Sequence, residues 1–213
     1  MTQRTQGLIL RTRPLTETSL IVHWLTPAFG RIATVAKGAC RANSPFRGKL
    51  DLFFLADFSF SRSRRSELHT LREVSLLGTH KALREQLALL QQASYCAALI
   101  EQATETETPL LAVHELMRGL LDHLPKQPPQ PQTILAFELK LLNELGLTPD
   151  FEKSKLTAGV KRITTTLLQN DLRTASRLKL SEAQVKELRQ FLHGFLIFHL
   201  GNIPKGRSTA FTA

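Results

Sequence analysis

LFFLADFSFS, residues 52–61, decides how the first third of the chain folds. Phe54, Ala56, Phe58 and Phe60 recur at every second position with Asp57 and Ser59 between them, the period of a strand with one face in a core. Working outward, four more stretches carry the β-branched and aromatic residues of strands: GLILRTR (7–13), SLIVHWLT (19–26), GRIATVAKG (30–38) and ELHTLREVSLL (67–77). Pro27, Gly30, Gly38, Pro45 and Gly48 separate them. A sandwich takes about seven strands, whereas five short ones bury a core without exposed edges by closing into a small barrel of OB-fold or SH3-like type.

From Lys81 the apolar period lengthens to helical spacing. Ala82, Leu83, Leu87, Leu90, Ala93, Ala97 and Ile100 predict a long first helix, and Thr108 with Pro109 an N-cap and first-turn proline for a second that ends before Pro125. KQPPQPQ (126–132) is a proline-rich break, and a third helix spans Thr133 to Leu145 and stops at Gly146. Its apolar face (Ile134, Phe137, Leu141, Leu142, Leu145) reads as core or as a groove for a partner peptide with Lys140 at the rim, Glu138 and Asn143 lying elsewhere. Ser181 and Gln184 form a capping box opening a last helix that runs to about Leu200. That helix is apolar over more than half its circumference and is expected at the centre of its domain. Residues 149–180 show no clear period. The expected organisation is α+β in two domains, a five-stranded barrel over 1–78 and an all-α domain over 79–213.

The chain has 28 Lys and Arg against 18 Asp and Glu, an excess of +10 that calls for a polyanionic partner, nucleic acid or an anionic membrane. The excess is +7 over residues 1–80 and +6 over residues 148–213, with −3 between them. No apolar run reaches signal-peptide or membrane-span length, so a cytoplasmic location is expected. Lys37, Arg41, Arg47 and Lys49 lie in one acid-free stretch, KGACRANSPFRGK (37–49), and Arg62, Arg64 and Arg65 in the next hairpin. These seven are the candidate phosphate contacts, with Phe46 placed to stack on a base. RGKL (47–50) lacks the remaining parts of a phosphate-binding loop, since Asn43 and Leu50 stand where glycine and Ser or Thr are needed. Seven scattered histidines and two cysteines, Cys40 and Cys96, supply no ligand spacing, and no hydrolase or protease motif is present. No catalytic residue, cofactor or metal is expected.

LILRTRPLTETSLIVHWLT, GRIATVAKGACRANSPFRGKL, FELKLLNELGLTPDF and HLGNIPKGRS, in that order and spacing, resemble the RecO family of bacterial recombination mediators. The pattern R-P-x-x-E-T-S-L followed by G-R-x-x-x-V-A-K-G is the specific part. The resemblance implies an N-terminal OB-fold, a helical C-terminal domain and a non-enzymatic role in DNA repair. That role is annealing of complementary strands and loading of recombinase onto single strands coated by single-stranded-DNA-binding protein, at the nucleoid. It also implies single- and double-stranded DNA, the acidic C-terminal tail of the coating protein, and RecR as partners. DNA contacts carry over to Lys37, Arg41, Arg47 and Lys49, and tail contacts to the helix around Phe137 and Leu141. Two departures from the family stand out. No cysteine occurs between residues 150 and 178, where many members carry a zinc insertion, so a shortened metal-free replacement is expected. Leu135 and Ala136 stand where basic residues often precede the Phe-Glu-Leu step, leaving Lys140 or the basic residues between Lys153 and Arg177 to meet the tail.

On this reading the barrel loops neutralise one strand's phosphates while Lys153, Lys155, Lys161 and Arg162 hold another, and annealing follows from proximity. The competing readings are an OB-fold RNA-binding protein and a helical protein-interaction adaptor.

Overall fold

Trp24 and Phe58 stack with ring centroids 3.9 Å apart and lie in the core of a closed barrel. The computed structural model describes residues 2–212. Five strands, β1 (Thr2–Pro14), β2 (Leu20–Thr26), β3 (Gly30–Ala36), β4 (Leu55–Ser61) and β5 (Leu68–Gly78), close in the order β1-β2-β3-β5-β4, with β3 and β5 parallel. This is the OB-fold order, which settles the barrel type. β1 extends to Thr2, past the polar residues 2–6 that carry no apolar signal. Its first half pairs with β4 and its second with β2, across a bulge between Ile9 and Arg11 that lets one strand turn the corner. Ala56, Phe58 and Phe60 point into the core as their alternation requires, and the buried Trp24 indole donates to Thr34 Oγ1 at 2.9 Å.

The chain forms two compact units, Met1–Lys81 with Thr104–Glu115 and Ala82–Ala103 with Leu116–Ala213. The segment 104–115 therefore belongs with the barrel. Arg31 Nε donates to Thr104 Oγ1 at 2.7 Å, Glu107 N donates to Arg31 O at 2.8 Å, and Arg31 bridges Thr106 in parallel. Gly30 makes this strap possible. A Cβ there would sit 1.9 Å from Thr108 O, and its φ of +64° is one that L side chains rarely adopt. Thr108 and Pro109 lie in this strap and cap nothing, because the second helix begins two residues later, at Leu111.

The helical unit contains α1 (Leu87–Ala103), the end of α2 (Leu111–His123), α3 (Pro131–Glu144), α4 (Ala158–Gln169), α5 (Leu172–Ala175), α6 (Glu182–Leu200) and α7 (Arg207–Thr212). Helices α4 and α5 fill the stretch that has no clear sequence period. The central helix is α3, which packs against α1, α4, α5, α6 and α7. It ends in a Schellman turn: Leu147 N donates to Leu142 O at 2.8 Å and Gly146 N to Asn143 O at 3.0 Å, with Gly146 at φ +71°. The expected centrality of α6 is corrected. Only Leu188, Leu192 and Leu196 are buried, Phe198 is 83% exposed, and the rings of Phe191 and Phe195 form a half-buried ladder beside the core stripe. Its Ser181–Gln184 capping box forms as read. Leu87, counted into the core face of α1, opens that helix at 69% exposure, while Leu89, two residues on, is buried.

The helical unit also holds a buried charge cluster. Glu138, placed by its spacing away from the apolar face, is fully buried. Its Oε1 accepts from Tyr95 OH at 2.5 Å and from Arg207 Nε at 2.7 Å, and its Oε2 from Arg207 Nη2 at 2.8 Å. Burial, and then Glu138, push the Tyr95 phenol far upward, so it stays a donor.

Candidate nucleic-acid interface

Gly38 leaves β3 at φ +67°, and the chain then turns every three residues. Arg41 N donates to Gly38 O, Ser44 N to Arg41 O, Arg47 N to Ser44 O, and Lys49 N to Phe46 O, at 3.0 to 3.2 Å. The loop is tied to the β1–β2 hairpin by Cys40 N to Thr18 O at 3.0 Å and Gly38 N to Ser19 Oγ at 3.3 Å. Arg41 and Arg47 line one recess of about 380 Å³, and Arg47 Nη1 is steadied by Ala42 O at 3.2 Å. Lys37, Arg41 and Arg47 are exposed and Lys49 half-buried. Among the described residues none of the four has a carboxylate partner.

Phe46 is the loop's anchor. Its ring is 7% exposed and packs into the barrel core, so the expected stacking on a base is corrected: the apolar ring gains more by closing the barrel than by facing water. Arg62 is corrected as well. Its guanidinium pairs with Glu107 of the strap, whose other oxygen lies 3.1 Å from Nε2 of the buried His69. Arg64 and Arg65 are exposed in the same hairpin, and among the described residues their guanidinium groups have no carboxylate partner.

Two arginines lie outside the sequence-predicted set. Arg11 and Arg13 are both exposed on β1, and Arg11 lies opposite His23 on β2. Pairing of Pro14 with Leu20 and of Leu20 with Ala36 brings the Arg13 end of β1 to the end of β3 from which the basic loop departs. His23 reports the field on this face. Burial first, then Arg11, Arg13 and Arg31, lower its pKa to about 4. Alternation across the strand could have placed both arginines outside, but strand one reads most simply through its apolar residues.

In the helical unit Phe137 and Leu141 are buried in the core, as are Leu135 and Ala136, and present no groove. Lys140 lies at the edge of that core and donates to Leu168 O at 2.8 Å. With Lys126, Arg173 and Arg177 it lines a recess of about 710 Å³ that also contains Leu116, Leu172 and two carboxylates, Asp122 and Asp171. Asp171 is engaged in capping α5 through Thr174 N at 2.7 Å. Of the four cations expected to hold a second strand, Lys153 pairs with Asp150 at 3.0 Å and Lys161 donates to Glu152 O at 2.7 Å, while among the described residues the Lys155 and Arg162 side chains have no such partner. Among the described residues no three His, Cys, Asp or Glu side chains converge on a metal position, and no helix is long and apolar enough to cross a membrane.

Residues 1–80 match the family model described as Recombination protein O N terminal, and residues 84–157 the one described as Recombination protein O C terminal. Curated relatives called DNA repair protein RecO include that of Bacillus pumilus, 29% identical over 150 residues, 70% of this chain and 58% of that protein. The one from Anaeromyxobacter sp. strain K is 32% identical over 143 residues, 67% of this chain and 56% of that protein. The chain thus covers little more than half the length of these two, whereas the match to the Listeria monocytogenes serotype 4a protein is 28% identical over 97% of this chain and 83% of that protein.

Proposed function

Because the chain belongs to the RecO family of DNA repair proteins, we propose that it works as a non-enzymatic recombination mediator in the bacterial cytoplasm, at the nucleoid. It binds single-stranded DNA on the barrel, anneals complementary strands and helps load recombinase onto strands coated by single-stranded-DNA-binding protein, with RecR as a further partner. The observation that carries this reading is the set Lys37, Arg41, Arg47 and Lys49, without carboxylate partners among the described residues, on a loop locked to the barrel by turns and by Phe46. Arg11, Arg13, Arg64 and Arg65 extend the same charge. Cations fixed on a scaffold and left without carboxylates neutralise phosphates at little reorganisation cost. Binding of this kind is insensitive to base sequence, leaves base edges free to pair, and needs no bond-making residue. Two strands held at one protein then anneal through effective concentration.

The recess around Lys140 supports the acidic tail of the coating protein as a partner, since its cations surround apolar side chains Leu116 and Leu172 of the kind a tail's last residues would cover. This replaces the groove expected at Phe137 and Leu141.

The test is the annealing rate of complementary oligonucleotides coated with the organism's own single-stranded-DNA-binding protein, with and without its tail. Tail-dependent acceleration is expected; no acceleration with either form would remove the mediator role. Replacing Arg41 and Arg47 together by Ala should flatten the log–log salt dependence of strand binding by ~2 units, one for each phosphate no longer neutralised. An unchanged slope would take both residues out of the interface.

A further inference from the structure

The C-terminal motif GNIPKGRS forms a second cationic recess that the barrel interface does not use. After α6 ends at Leu200 the chain folds back through Ile203 and Pro204 into α7. Lys186, Arg189 and His193, at three- and four-residue steps on α6, face Lys205 and Ser208 across about 520 Å³, and no carboxylate lines the space.

Arg207 lines the recess but is neutralised by Glu138. Its Nε and Nη2 donate to the Glu138 carboxylate, and Nη2 also donates to Arg189 O at 3.2 Å, which holds the turn against α6. Arg189 is different. Its guanidinium lies 4.7 Å over the Phe211 ring, whose centroid is also 5.1 Å from Arg207. The nearby carboxylate, Glu138, has its oxygens taken by Arg207 and Tyr95. The Phe211 ring holds the Arg189 guanidinium at the recess by cation–π contact, while among the described residues no acceptor is bonded to its N–H groups. A guanidinium anchored on a ring, flanked by two lysines and with no carboxylate lining the recess, is suited to receive oxyanions.

We propose that this recess binds backbone phosphate of a nucleic-acid strand, as a site separate from the barrel loop; the proposal rests on the reading of the protein as a strand binder. Arg189 takes the phosphate oxygens in the plane of its fork, and Lys186 and Lys205 meet the adjoining phosphates as point charges. Charge decides the occupant: Lys186, Arg189, His193 and Lys205 line the recess without a carboxylate among its lining residues, which suits a run of phosphates. The recess around Lys140 differs in holding two carboxylates, Asp122 and Asp171, among its cations.

The experiment is lysine acylation of the full chain, mapped by mass spectrometry, with oligothymidylate, inorganic phosphate or an acidic peptide ending in a free carboxylate. Oligothymidylate is expected to slow acylation of Lys186 and Lys205 at concentrations where inorganic phosphate does not. Arg189→Gln should abolish that protection while leaving Lys37 and Lys49 protected. Lys205→Gln, an exposed change that leaves the Phe211 stack alone, should lower the log–log salt slope of strand binding by ~1. Protection at Lys37 and Lys49 but not at Lys186 and Lys205 overturns the proposal and leaves the barrel interface standing; the converse supports it and removes the barrel interface. Equal protection by inorganic phosphate would make this a small-anion site, and protection by the peptide alone a protein contact, and either overturns a strand site. No protection anywhere by oligothymidylate overturns both readings.

Discussion

The barrel region and the C-terminal region carry nearly the same formal excess, +7 over residues 1–80 and +6 over residues 148–213, and hold it in different ways. On the barrel most of the basic side chains stand on a loop and on outward strand faces, while Arg4 is on Asp57, Arg62 on Glu107, Arg31 on Thr104 and Arg72 on Ser61. In the helical unit the cations are sorted by depth. Arg207 is buried and neutralised by Glu138, Lys153 and Lys161 are tied to local oxygens, and Arg189, Lys186 and Lys205 remain open in one recess. Net charge therefore measures attraction for a polyanion at long range, and the hydrogen-bond partners decide which cations touch it.

The largest break in this comparison comes from Glu138. Glu138→Ala leaves Arg207 buried without its partner and should cost ~3–5 kcal/mol of unfolding free energy, read by denaturant titration. Glu138→Leu combined with Arg207→Met and Tyr95→Phe should recover most of that loss, because the pair and the hydroxyl that donates to it are removed together with their desolvation cost. By contrast, Arg41→Ala removes an exposed side chain and should change stability by less than ~0.5 kcal/mol. A loss below ~1 kcal/mol in Glu138→Ala would show that Arg207 finds water, and the two regions would then hold charge alike.

Next in size is Phe46. As a core residue it should cost about 3 kcal/mol when cut to Ala, with Phe46→Leu keeping strand affinity; an aromatic stacking on bases would show the reverse, stable when cut but losing affinity even as Leu. This residue marks where a sequence stops being legible. Strand alternation locates Ala56, Phe58 and Phe60 because period two is a local property of the chain, and the Schellman turn at Gly146 and the Ser181 capping box are local as well. Phe46 sits in a loop without a period, so only the turns at Gly38, Arg41 and Ser44 fix which side it faces. Glu138 defeats its helical spacing for a related reason: its partner Arg207 lies 69 residues away, and no helical wheel contains it. The pairing of Arg62 is equally hidden, since Glu107 reaches it through a strap that reads as a helix start. The basic loop itself is legible because an acid-free run is a matter of composition.

The smallest effect is the most local, and it tests whether the barrel's charge is free. His23 ordinarily titrates near 6.5 and here near 4, with burial the first cause and Arg11, Arg13 and Arg31 the next. A histidine whose folded pKa is depressed binds its proton more readily when unfolded. Its contribution to stability is therefore complete above about 6.5 and is lost as pH falls from there toward 4. Thermal melts between pH 7 and pH 5 should show that decline, and His23→Asn should make it shallower. NMR titration of the ring separates the causes. Arg13→Ala removes one repelling charge and should raise the His23 pKa, while His69, lowered first by burial and flanked by Glu107 and Arg62, should not respond. Bound oligonucleotide should raise the His23 pKa in the same direction, because phosphates cancel the field of the three arginines. The rise is bounded, since burial, the larger cause, stays. A His23 ring indifferent to oligonucleotide while the strand is bound would place the DNA away from β1 and β2 and confine the interface to the loop.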